Sequence, residues 1–120
     1  MKKFLAAFAM LALFVPAFAQ NLVTDAKLGR NVVDREITDE TTTFAVGDKA
    51  YLWLRVEGGA GETLKVVWKI NDQEFPVDLR IGGSPWRTWA TKTLYIAGDW
   101  TVTVTDAAGN TLNEATLKVQ

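Results

Sequence analysis

Between Trp100 and Thr105 the chain alternates without a fault, with Trp100, Val102 and Val104 on one side and Thr101, Thr103 and Thr105 on the other. A period of two built from good β-formers on both faces fits a pleated strand and is incompatible with a helix. The pattern recurs. In Lys49 to Glu57, Leu52, Leu54 and Val56 oppose Tyr51, Trp53 and Arg55; in Thr63 to Ile70, Val66, Trp68 and Ile70 share a side. In Phe75 to Ile81, Val77, Leu79 and Ile81 alternate with Asp78 and Arg80. Glycine-rich or Asn/Asp-rich breaks separate these runs at intervals of about ten residues, a spacing typical of sandwiches. Arg87 to Ile96 and Leu112 to Val119 read as further strands, the latter returning from an Asp106 to Asn110 hairpin. Leu22 to Leu28 and Val32 to Ile37 read as one strand broken at Gly29, and Thr42 to Val46 as a short one. No stretch after Gln20 sustains a 3.6-residue apolar period, so no long helix is predicted there.

The first residues follow different rules. Lys2 and Lys3 precede an apolar run from Phe4 to Val15, then Pro16 and the small-residue pattern Ala17-Phe18-Ala19. That is the layout of a secretory signal peptide, cleaved after Ala19. The run falls short of the ~20 apolar residues that a spanning helix needs, so no stable membrane span is expected after cleavage. Residues 1–19 are therefore assigned to a signal-peptide helix and 20–120 to one domain, periplasmic or secreted. Without Lys2 and Lys3 the domain carries 11 basic and 14 acidic side chains, a mild net charge of −3. Such a balance offers no basic field for nucleic acid. There is no cysteine and no histidine, so disulfides and Cys/His zinc sites are excluded, and packing alone must hold the fold.

Seven to eight such strands bury their apolar faces most economically as two antiparallel sheets packed face to face, with a small barrel as the alternative. Trp68 occupies the place where an immunoglobulin-like domain carries its central tryptophan, on the strand before a hairpin. Gly98-Asp99-Trp100 with Val102 reads as the later strand facing it. The prediction is an all-β, immunoglobulin-like antiparallel sandwich with Trp68, Trp100 and Val102 in its core.

Several runs of residues resemble one family in particular. Val67-Trp68-Lys69-Ile70-Asn71, Leu79-Arg80-Ile81-Gly82-Gly83, Trp86-Arg87-Thr88-Trp89, Lys92 and Gly98-Asp99-Trp100-Thr101-Val102 are similar to the bacterial domain of unknown function DUF2914. Asp34-Arg35-Glu36 resembles that family's opening strand, and the similarity runs from Lys27 to Val119. The chain departs from the family's usual histidine at Val66, serine at Ala90 and proline at Ile37. The resemblance implies a β-sandwich and brings no established activity.

Without histidine or cysteine the commonest general base and nucleophile are missing, and the chain is read as a non-enzyme with no catalytic residues and no cofactor. Ser84, the only serine, sits in a Gly-Gly-Ser-Pro turn with Lys92 as the nearest lysine, and is read as a turn residue. Asp34, Glu36, Asp39 and Glu40, like Asp106 with Asn110, lack the spacing of a dedicated calcium loop; they are read as solvated acids, with no metal site.

The aromatic residues say most about function. Trp86, Arg87 and Trp89 follow the glycine-rich turn, and Trp53 lies on the polar side of its strand. These four are the candidate binding residues. The preferred reading of the cluster is structural, with Trp89 inward and Arg87 stacked on Trp86 or paired with Asp78. Two binding readings stand beside it: an interface to an envelope protein, where Trp and Arg anchor contacts, and a stacking platform for polysaccharide.

Overall fold

A computed structural model describes residues 22–120; the predicted signal peptide lies outside them. Nine strands occur among the described residues, and no helix. They are β1 (Val23–Val33), β2 (Glu36–Glu40), β3 (Thr43–Phe44), β4 (Lys49–Val56), β5 (Thr63–Ile70), β6 (Gln73–Arg80), β7 (Trp86–Thr93), β8 (Gly98–Thr105) and β9 (Thr111–Val119). Two sheets form, in the orders β2-β1-β4-β7 and β3-β9-β8-β5-β6. The result is the predicted all-β sandwich, with one or two strands more than the periodicity shows.

The period of two maps directly onto the interior. Leu52, Leu54 and Val56 of β4 face Leu64, Val66, Trp68 and Ile70 of β5 and Trp100, Val102 and Val104 of β8, all buried. Trp68 and Trp100 are the largest side chains fully removed from water. No polar or charged residue is buried with them among the described residues, so the core is apolar throughout. The strand expected to face Trp68 instead lies beside it: β5 and β8 are neighbours in one sheet, pairing Trp68 with Val102. The opposing layer is β4.

The N-terminal segment departs from its prediction. β1 runs through Gly29 unbroken, and the chain reverses later, at Asp34-Arg35. Both residues adopt positive φ, 53° and 66°, the backbone of a tight two-residue hairpin turn. Gly29 is there for clearance: a Cβ would stand 2.8 Å from both Ile37 Cγ1 and the Thr38 carbonyl oxygen of β2. After β2 the chain crosses to the other sheet, where β3 pairs with β9 in parallel, Thr43 with Lys118 and Phe44 with Val119. The sandwich is therefore not wholly antiparallel. Arg30 braces the crossing by donating to the Thr43 carbonyl at 2.9 Å and meeting Asp39 and Asp48 at 3.3 and 3.4 Å.

One open side of the sandwich is closed by aromatic stacking. Phe75 of β6 stacks on Trp100 with centroids 6.0 Å apart. The Lys92 ammonium lies 3.9 Å from the Phe75 centroid, a cation–π contact that lets a lysine occupy the inner side of β7.

Candidate functional site

β7 lies at the edge of the four-stranded sheet, and its register against β4 decides where each side chain points. Leu52 pairs with Ala90 and Leu54 with Thr88, while Trp53 pairs with Trp89 and Arg55 with Arg87. Directly paired residues share a face. Ala90 is therefore inward with Leu52, and Trp89 and Arg87 point out with Trp53. This reverses the expected inward Trp89. Neither parity of β7 offers an apolar set, because Trp86, Thr88, Ala90 and Lys92 are as mixed as Arg87, Trp89, Thr91 and Thr93.

Trp86 stands at the start of β7, half-buried, against the turn that leads from β6. A Cβ on Gly82 would sit 2.6 Å from its Cη2 atom. The indole thus lies directly on Gly82, which explains why glycine precedes the tryptophan pair. The turn itself contains a cis Ser84–Pro85 bond, and Ser84 Oγ accepts the Gly58 N–H at 2.6 Å. Ser84 and Lys92 flank opposite ends of β7, so they form no pair.

Trp53 is not the exposed aromatic that its outer-face position suggested. Only 3% of it is accessible. Its Nε1 donates to the Arg35 carbonyl at 2.9 Å, and the Lys27 ammonium lies over its ring at 5.5 Å. The β1–β2 turn covers Trp53, and Trp53 in return fixes that turn over the sheet. Its place is that of a support beneath the site.

The turn delivers Arg35 to the site. Its guanidinium lies over the Trp86 ring, 5.7 Å from the centroid. Arg87 pairs with Glu36, in place of the expected Asp78 or a stack on Trp86. Glu36 and Asp39, read as solvated acids, thus each hold an arginine, and no group of three acids among the described residues is placed to hold a metal ion. Lys27 meets Asp25 at 3.9 Å and Arg55 meets Glu57 at 3.2 Å. Arg35 and Arg80 have no carboxylate within ion-pair distance among the described residues.

Two grooves meet here. One, of about 620 Å³, is lined by Asp25, Lys27, Arg35, Glu36, Trp53, Arg55, Pro85, Trp86 and Arg87. The other, of about 380 Å³, is lined by Arg35, Arg80, Trp86, Arg87, Thr88 and Trp89, with no acid in its wall. All four predicted binding residues come together, and Arg35, Arg80 and Lys27 join them unpredicted. The only local trace of Arg35 is the Asp-Arg pair between two β-rich runs, a dipeptide that does not read as a hairpin turn. A third groove of about 650 Å³ opens between the sheets, where the small Ala26 and Ala115 leave a mouth above Leu28 and Leu52. Its charged lining is Lys27, Glu40 and Glu114, and no aromatic side chain enters it.

Two carboxylates elsewhere are held below the usual aspartate value. Asp106 is lowered first by the Asn110 side chain and then by backbone N–H groups of its own turn. Asp48 is lowered first by the Ala45 N–H and then by Arg30. Both brace turns and neither reaches the grooves.

Residues 61–119 match the family described as protein of unknown function (DUF2914). The match takes in β5 to β9, including Gly82, Trp86, Arg87 and Trp89, and begins after β4, so Arg35 and Trp53 lie outside it. No curated protein matches the chain.

Proposed function

From a chain whose residues 61–119 belong to the DUF2914 family of unknown function, we propose an exported, non-catalytic interaction module that holds an envelope protein on the outer face of its four-stranded sheet. The observation carrying this reading is one groove in which the outward Trp89 and the half-buried Trp86, packed against the core at the start of β7, share walls with Arg35 and Arg80, neither of which has a carboxylate partner among the described residues. Tryptophan and arginine are the side chains that anchor protein interfaces, because each combines large contact area with directed polar groups. Trp53 supplies a rigid floor that costs no rearrangement on binding. Export follows from the Lys2 to Ala19 layout, and a periplasmic or secreted location with it.

The reading is one of binding because the chain lacks histidine and cysteine and its one serine oxygen receives a backbone N–H within a turn. A polysaccharide platform fits less well. Sugar rings stack on open indole faces, whereas Trp86 lies against Gly82 and beneath Arg35.

The test is a pull-down from envelope extract with the wild-type protein and with Trp89→Ala, after circular dichroism confirms that the variant is folded. Trp89 points outward, so its truncation is expected to leave the fold intact and to lose a protein that the wild type retains. Identical retention by both would contradict the assignment.

A further inference from the structure

Four strands lie at sheet edges: β2, β7, β3 and β6. Edge strands expose unpaired main-chain groups, and proteins normally blunt them by shortness, bulges, proline or charge. β3 has 2 residues and β2 has 5, the latter with Asp39 at a φ of 52°. β6 carries Pro76 in its middle. β7 differs from all three, with 8 residues, no proline and no positive φ. On the side away from β4, its backbone makes no hydrogen bond within the described residues. Lys92 turns inward onto Phe75 and guards only the far end.

The cationic groove lies along this same strand. The walls of the two adjoining grooves hold Lys27, Arg35, Arg55, Arg80 and Arg87 against Asp25 and Glu36. The whole chain has a net charge of −1, so this face is positive on a protein that is acidic elsewhere.

We propose that β7 takes up an extended acidic segment of a partner protein as a fifth strand of the four-stranded sheet. Main-chain hydrogen bonds to β7 supply affinity, as in other strand-addition complexes. Alternate side chains of the added strand fall on the outer face beside Arg87 and Trp89, where carboxylates meet Arg35, Arg80 and Arg87 as charge-assisted pairs. The inference rests on the interaction reading above and specifies its partner.

The test uses the purified protein, expressed as the full chain, and a fluorescent eight-residue peptide alternating glutamate and threonine. Binding is measured by fluorescence polarisation against a lysine–threonine counterpart and against polygalacturonate. Two N-methylated forms are added, one blocking every glutamate amide and the other every threonine amide. In a strand, only one of these sets points at the protein. The acidic peptide is expected to bind and the lysine peptide not. The two methylated forms should differ at least tenfold, and Arg35→Glu with Arg80→Glu should weaken binding at least tenfold. Equal binding of the methylated forms, or of the lysine peptide, overturns strand addition by an acidic segment. Binding of polygalacturonate without the peptide overturns it in favour of an acidic polysaccharide. If no probe binds while Trp89→Ala still loses its envelope partner, the acidic strand falls and the interaction face stands.

Discussion

Trp68 and Trp100 occupy the same apolar interior, yet their indole nitrogens fare differently. Trp100 Nε1 donates to the Ile96 carbonyl at 2.8 Å, whereas Trp68 Nε1 has no partner among the described residues. An unpaired buried donor costs about 1–3 kcal/mol, so the two residues should answer differently to the same substitution. Trp68→Phe deletes the unsatisfied group with part of the ring, and the two effects offset; a loss of about 1 kcal/mol or less is expected. Trp100→Phe removes a satisfied bond and strands the Ile96 carbonyl, so about 2–3 kcal/mol is expected. Urea unfolding of both variants checks the order, and a larger loss at Trp68 would contradict it. The alternation in sequence placed both indoles inside. The partner of one and the isolation of the other depend on a carbonyl in the loop before β8, which no periodicity reveals.

At the level of elements, strands with one apolar face were legible and the others were not. β5 was predicted residue for residue, because Leu64 to Ile70 alternates on a half-buried surface. β7 was placed but its sides were exchanged, since an edge strand with mixed residues on both faces carries no parity signal of its own. Only pairing with β4, more than thirty residues earlier in the chain, turns Trp89 outward. The β1–β2 hairpin was missed for a related reason. Gly29 looks like a breaker but serves as clearance, and Asp34-Arg35 adopts a backbone more usual for Asn-Gly. The β8–β9 turn was legible because Asp106 is a good turn former. Its carboxylate accepts the N–H groups of Ala108 and Asn110 at 3.0 and 2.8 Å. Since the folded value lies below the ordinary one, the stabilisation from Asp106 is complete above about pH 5 and is lost progressively as pH falls through the folded value. The stability difference between wild type and Asp106→Ala should therefore shrink between pH 6 and pH 2.5, as read from urea midpoints. A difference that grows on acidification would contradict the role given to this turn.

For the whole molecule, the sandwich was readable because a hydrophobic pattern is local, while the proposed binding face was only half readable because it is assembled across sheets. Trp86, Arg87 and Trp89 stand together in sequence. Arg35 and Arg80 reach them from the β1–β2 turn and from the edge of the other sheet, and nothing near either residue in the chain announces it. The same assembly separates the five tryptophans into an inner pair, Trp68 and Trp100, a covered Trp53, and two half-buried indoles on the cationic face. That division fits the proposed interaction role. It can be followed in the indole and amide signals of the ¹⁵N-labelled protein titrated with the glutamate–threonine peptide. The indole signals of Trp86 and Trp89 and the amides of β7 should move, while those of Trp68 and Trp100 stay still. Shifts gathered around Ala26, Leu28 and Ala115 between the sheets, with β7 unmoved, would contradict the account.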